Sequence, residues 1–286
     1  MRPLELPTDW AGRMSRFSVA SVVKIRSGHK GSHRTNRFGS SMEFSDFREY
    51  HPGDDIRHID WNVYGRTERV YIKRFLDEQD RSVHLLLDDS ASMQSHWLFT
   101  RQLAFSLGLM SLASDDRLSM SLGRKGSPRF QKKGKNARQS LEQFLTKLPE
   151  PQGDAFTGGA DFEAARRSNI LIILTDGLEP VDKWQHLLRR AVRHAQDVRL
   201  LRIVSKEEAD PVHRGDVQLV DSETGVKMNV SMTPAAVQKY REQREMHNRM
   251  LESLCQRFGI SYLEVAEEAG IQDVIFKQLP RENWIR

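Results

Sequence analysis

The sequence predicts a doubly wound α/β fold: a mostly parallel sheet with helices on both faces, preceded by an N-terminal extension of irregular and strand character. Three observations carry this. Strand-like and helix-like segments alternate from about residue 81 to the C-terminus, the order that builds parallel sheets through crossover helices. Two of the strand-like runs, Val83–Leu87 and Ile170–Leu174, are almost entirely apolar, as expected of central strands covered on both faces. The first runs directly into Asp88-Asp89 and the second reaches Asp176 one residue on, after Thr175, and ligands of wound sheets gather at the carboxyl ends of the strands.

Taken in order, residues 1–35 read as a short helix followed by a polar stretch rich in Gly, Ser and His. Residues 36–80 pack aromatic and charged residues closely together and end in the alternating strand segment Val70–Phe75. After the strand at 83–87, Leu103, Leu107 and Met110 recur at helical spacing within a helix from about Trp97 to Leu112. Strands near Leu118–Leu122 and Ser127–Gln131 come next, then a helix near Ala137–Leu148, a Pro/Gly-rich loop, and a short helix from Asp161. The strand at 170–174 leads to a helix at about Val181–Gln196 and a strand at Val198–Val204. A hairpin over 216–231, a long charged helix over Pro234–Phe258, a strand at Ile260–Val265 and a helix at Ile271–Leu279 close the chain. The domain organisation is an extension, 1–80, packed on a main domain, 81–286.

Composition narrows the class. With 38% hydrophobic and 29% charged residues the chain is globular rather than disordered. Cys255 is the single cysteine, which excludes an intrachain disulfide or a cysteine metal cluster and fits a reducing compartment. The N-terminus has early acidic residues and no apolar core of the secretory kind. The longest apolar-rich run, Leu103–Ala113, is about half the roughly 20 residues a membrane span needs. The expected location is cytoplasmic, with no membrane association. Of the net charge of +5, residues 1–40 carry eight Lys/Arg against Glu5 and Asp9, and a second basic cluster runs from Arg124 to Arg138. Neither carries interleaved aromatics or a nucleic-acid motif, so a solvated surface is the expected reading.

The chemistry-bearing pattern is Asp88-x-Ser90-x-Ser92. Alternate side chains of a tight loop face one point, so a carboxylate and two hydroxyls converge there. Together with Asp176 from a second strand end, this set of hard oxygen donors suits Mg²⁺ or Mn²⁺, and it lacks the Cys and His that zinc favours.

These residues resemble the metal-ion-dependent adhesion site of von Willebrand factor A domains, with Leu174-Thr175-Asp176-Gly177 as the later strand end. The block Glu43–Asp80 (EFSDFREYHPGDDIRHIDWNVYGRTERVYIKRFLDEQD) resembles the signature of a bacterial family known as domain of unknown function 58, which joins it to a von Willebrand A-like domain. The resemblance covers about residues 15–265. It implies metal contacts from Asp88, Ser90 and Ser92 in the first loop and Asp176 in the third. In the second loop the family's threonine position holds Ala160, after Gly158-Gly159, and Thr157 is the nearest hydroxyl. The resemblance also implies a non-enzymatic adaptor or co-chaperone of a MoxR-type AAA ATPase, with a partner carboxylate completing the ion's coordination.

Two other functions follow from the same residues. Acidic strand ends serve Mg²⁺-dependent phosphoryl transfer or hydrolysis, yet Ser90 stands where a haloacid-dehalogenase-like phosphatase needs its second aspartate, and Lys183, the candidate for the lysine that a response-regulator receiver places at a strand end, falls on a helix. No Walker A loop, His-Glu-x-x-His helix or Gly-x-Ser-x-Gly elbow occurs. A nucleic-acid binder would work through the basic N-terminus. Within the signature block, mixed-sign charges are expected to form ion pairs that hold the block on the main domain, Trp61 and Tyr64 to be buried anchors, and Gly53 to mark a turn.

Overall fold

The computed structural model describes residues 3–20, 43–76, 81–152, 155–166, 168–209, 215–220 and 225–286. The chain divides into two compact units, one of Met1–Ile25 with Arg81–Arg286 and one of Arg26–Asp80. The expected extension 1–80 is thus split, because its first residues belong to the larger unit. Helix α1 (Trp10–Met14) buries Trp10, whose indole N–H donates to Ser106 Oγ at 2.9 Å. Residues 18–20 run beside the C-terminus, where Ser18 and Arg286 exchange backbone hydrogen bonds. The basic residues from Lys24 to Arg37 lie outside the described residues.

The smaller unit is an antiparallel pair, β1 (Glu43–Glu49) and β2 (Tyr71–Leu76), with helix α2 (Trp61–Thr67) between them. The β1 strand and α2 were not foreseen. Asp60 caps α2 by accepting from the N–H groups of Asn62 and Val63, the usual use of an aspartate at a helix start. Asp60 also pairs with Lys73 at 3.0 Å, and Arg48 with Asp54 at 2.7 Å, both of them ion pairs internal to the block. Gly53 takes a left-handed turn conformation, φ 103°. The expectation for Trp61 and Tyr64 is overturned: they stack edge to face at 6.0 Å but are 65% and 42% exposed. Both project from a two-turn helix with too little neighbouring structure in the unit to cover them.

The larger unit contains β3 (Ser82–Leu87), α3 (Trp97–Ala113), β4 (Arg117–Leu122), β5 (Arg129–Lys133), α4 (Arg138–Lys147), α5 (Phe156–Gly159), β6 (Ser168–Thr175), α6 (Val181–His194), β7 (Ala195–Val204), α7 (Lys206–Ala209), the hairpin β8 (Gly215–Val220) and β9 (Lys227–Met232), α8 (Pro234–Arg257) and β10 (Ser261–Ala266). The short helix expected from Asp161 is instead α5, before it, with only a single turn at Glu163–Ala165 after it. The central sheet has the order β10-β7-β6-β3-β4-β5, parallel throughout except for the edge strand β5. Four members of the second basic cluster, Arg129, Gln131's neighbours Lys132 and Lys133, and Lys135, lie on or just after this edge strand, where charge discourages pairing with another sheet.

Alternation along the strands sorts the core into two layers. Val83, Leu85 and Leu87 face α3, α4 and the helical segment 270–281, whereas Leu86, Leu171 and Ile173 face α6 and α8. Helix α3 is buried on nearly every side because the sheet lies on one flank and α1 and α4 on the other. His84 points among polar neighbours, bonded to Ser119 and Ser121, and burial drives its pKa down to about 3, so it is neutral. From β3 the chain steps to β4 on one side and later returns to β6 on the other. The strand order therefore reverses between β3 and β6, and a crevice at their carboxyl ends is the expected consequence.

Candidate functional site

Asp88 follows β3 and Asp176 follows β6, on adjacent parallel strands. The Asp88 N–H donates to the Leu174 carbonyl at 2.9 Å, and Thr175 Oγ1 donates to Asp88 Oδ2 at 2.6 Å. The loop then folds back on Asp88: its Oδ1 accepts from the Ser90 N–H at 2.9 Å and from Ser90 Oγ at 2.6 Å. Ser90 Oγ lies 3.1 Å from Ser92 Oγ. Asp88, Ser90 and Ser92, alternate residues of the loop, form one hydrogen-bonded series. Asp89 turns elsewhere, to Arg124 Nε at 2.6 Å. Neither Asp88 nor Ser90 caps the helical turn that follows in the usual way; that turn has no side-chain cap.

Asp176 is 3% exposed. Its Oδ1 accepts from the Leu178 N–H at 3.1 Å, while Oδ2 is buried without a hydrogen-bond partner. Ser92 stands near enough to lower the Asp176 pKa without completing a bond to that oxygen. Burial raises Asp176 on balance, and burial followed by the charge of Asp176 pushes Asp88 up to about 8. Asp176 acts on Asp88 as a nearby like charge does, and neither side chain forms an ion pair among the described residues. Ser92, only half-buried, marks the open side.

The second loop behaves differently. Thr157 is buried, and both its N–H (2.8 Å) and its hydroxyl donate to the Glu179 carboxylate. Its hydroxyl is therefore engaged by Glu179 rather than by the series around Asp88. Ala160 is buried in the α6-side core, with its carbonyl accepting from Arg190 at 2.8 Å. The loop still borders the same sheet edge: the Phe156 ring lies over Gly123, where a Cβ would meet it at 2.5 Å and would stand 3.3 Å from Asp89.

Several residues around the site carried no sequence signal. His96, fully buried, is bonded through Nε2 to Glu208 at 2.9 Å and through Nδ1 to Glu267 at 3.1 Å. Burial opposes its protonation, but the two carboxylates prevail and lift its pKa to about 10. That charge in turn favours ionised Asp176. Glu179, Arg202 and His247 also hold the loops. Their partners are 22 to 70 positions away in sequence, beyond the reach of any local pattern. No group of three or more His, Cys, Asp or Glu gathers in metal-holding geometry among the described residues. The donors here are two carboxylates and hydroxyls.

A family model, "Protein of unknown function DUF58", matches residues 46–250, a span that takes in all but the first three residues of the signature block and both strand-end aspartates. The chain belongs to the DUF58 family. Curated relatives include uncharacterized proteins Rv1480 of Mycobacterium tuberculosis and Mb1516 of Mycobacterium bovis, each 26% identical over 212 residues, 69% of this chain and 66% of the relative. This DUF58 chain thus spans a little under two thirds of those relatives' length. Among solved structures, it is similar to BatB from Bacteroides thetaiotaomicron, with 16% identity, 71% of this chain and 98% of that one covered and a TM-score of 0.34. It is also similar to an aerotolerance-related membrane protein from Bacteroides fragilis, with 16% identity, coverage of 63% and 98% and a TM-score of 0.31. No helix among the described residues is long and apolar enough to cross a membrane.

Proposed function

We propose that this DUF58 protein is a non-enzymatic docking module on a von Willebrand A-like domain, in which a divalent cation, Mg²⁺ or Mn²⁺, accepts a carboxylate from a protein partner. The observation that carries the reading is the buried Asp176 Oδ2 without a partner, at the strand end next to an Asp88 whose ionisation the Asp176 charge opposes. Buried polar atoms are nearly always satisfied, and an exception calls for an explanation, of which a bound ion is one. The residues fit a hard cation: Asp88, Ser90, Ser92 and Asp176 offer only oxygen, and the two carboxylates supply the charge. When bound, the ion would neutralise both carboxylates and hold an open position for an oxyanion.

The chain's own residues do the rest. Thr175 and the Ser90 N–H orient Asp88, and the Ser90–Ser92 hydroxyl pair keeps the first loop closed on it. With Thr157 held by Glu179 and Ala160 in the threonine position, the second loop gives no ready hydroxyl, so water would have to supply that oxygen. The partner is a MoxR-type AAA ATPase on the family resemblance, and the setting is cytoplasmic. Docking is favoured over phosphoryl transfer because Ser90 occupies the place of a general acid.

Titration calorimetry with Mg²⁺ and Mn²⁺, on the chain and on Asp88→Ala, tests the ion. Binding to the purified ATPase, with and without chelator, tests the docking. Heat equal to that of Asp88→Ala, or phosphatase turnover lost in that variant, would overturn the proposal.

A further inference from the structure

The turn that carries Asp176 is held from behind by two side chains. Arg202, on β7 and 1% exposed, donates from Nε to the Asp176 carbonyl at 2.7 Å. His247, on α8, is bonded through Nε2 to the Gly177 carbonyl at 2.8 Å. A carbonyl only accepts, so Nε2 carries the proton. Gly177 lies in the left-handed region (φ 68°), and a Cβ there would stand 3.2 Å from the Arg202 side chain and 3.2 Å from Leu251 of α8. The turn is therefore pressed against the same two elements that bond it.

Its other polar groups are spent locally. The Gly177 N–H donates to Thr175 Oγ1 at 3.0 Å and the Leu178 N–H to Asp176 Oδ1 at 3.1 Å. With both carbonyls drawn toward β7 and α8, the backbone that carries the Asp176 side chain is held on both sides; the carboxylate's Oδ1 is taken by the Leu178 N–H and its Oδ2 is left over. Arg202 also donates to Asn248 of α8 and reaches Glu264 of β10 at 3.2 Å. A planar guanidinium serves three acceptors in fixed directions, which an ammonium on a flexible stem does not.

We infer that Arg202 and His247 are positioning residues for the Asp176 carboxylate, and that through them the placement of α8 sets the affinity of the strand-end site for its cation. The inference rests on the ion-docking reading above. Groups behind a ligand commonly change metal affinity about 10- to 100-fold when removed.

The test uses the full chain, Mn²⁺ as probe and two variants at position 247. His247→Leu deletes the donor and should weaken Mn²⁺ about 10-fold or more; His247→Gln, whose amide N–H can reach a carbonyl, should recover most of it. Arg202→Met should match His247→Leu where it remains folded. Amide exchange in metal-free protein gives a second readout: in His247→Leu, protection should fall at Gly177 and Leu178 and not at Ile172 in the core of β6. If wild-type protein binds no Mn²⁺, the ion reading fails, and the exchange data alone decide the positioning claim. Wild-type affinity in His247→Leu, or unchanged protection at Gly177 and Leu178, would overturn it.

Discussion

Thr175 Oγ1 donates to Asp88 Oδ2 at 2.6 Å, so the last residue of β6 is tied by its side chain to the first residue beyond β3. The same hydroxyl accepts from the Gly177 N–H at 3.0 Å. One buried oxygen thus joins the first and third loops of the site.

Removing that oxygen orphans two buried groups at once. Thr175→Val keeps the shape and should cost about 1–3 kcal/mol for each group left unsatisfied, whereas Thr175→Ser keeps the hydroxyl and should cost less. Urea unfolding of the two variants measures the difference. Equal stability of Val and Ser at position 175 would mean that the bond contributes nothing.

The pH dependence follows from Asp88. Its folded-state pKa is raised from 3.8 to about 8 by burial and by Asp176, so the protonated form is favoured in the fold. The associated stability is fully present below about pH 4 and is lost as pH rises through about 8. His84 acts oppositely: its pKa is depressed to about 3, so its contribution is present above the ordinary histidine range and lost as pH falls toward 3. Comparison with Asp88→Asn isolates the first effect. Metal-free wild type should lose stability relative to the variant between pH 4 and 8. Mn²⁺ should bind more tightly as pH rises through the same interval, because the ion displaces the proton. Parallel stability curves for the two proteins would contradict the shift at Asp88.

Much of this arrangement was legible beforehand for a physical reason. Apolar runs such as Val83–Leu87 and Ile170–Leu174 announce doubly covered strands, and strands of that kind end at the ligand-binding edge. The juxtaposition of Asp88 with Asp176 follows from the two being neighbours across the reversal of strand order. Other features depend on tertiary proximity that has no local signature. Glu179 captures Thr157, and His96 bridges Glu208 and Glu267 from 112 and 171 positions away. The β1 strand was hidden because its alternation is broken by an irregularity between Phe44 and Asp46.

The His96 bridge makes its own prediction. The ring is wholly buried and joins the start of α3 to α7 and to the turn after β10. Replacing it with leucine leaves Glu208 and Glu267 without their shared cation, at a cost of about 1.5–3 kcal/mol for each charged hydrogen bond before the partly exposed carboxylates regain water. Its folded pKa is raised to about 10, so this contribution is complete below about pH 6 and disappears as pH rises through 10. The gap between wild type and His96→Leu should therefore close in alkali. Denaturant midpoints measured from pH 6 to 10.5 check this, and a gap that does not narrow would count against a protonated ring.

Two tryptophans with similar sequence surroundings should behave in opposite ways. Trp10 is 3% exposed, bonds Ser106 and meets the Phe276 ring edge-on at 5.6 Å. Truncating it to alanine opens a cavity and strips a buried hydroxyl of its donor, a loss of about 3–5 kcal/mol. Trp61 is 65% exposed and its ring contact is with Tyr64 alone among the described aromatic pairs, so Trp61→Ser should change stability by less than about 0.5 kcal/mol. A thermal melt of each variant distinguishes them. If Trp61→Ser proved as damaging as Trp10→Ala, the α2 surface would have to be covered in the free protein, and the exposure of its two aromatics would be wrong.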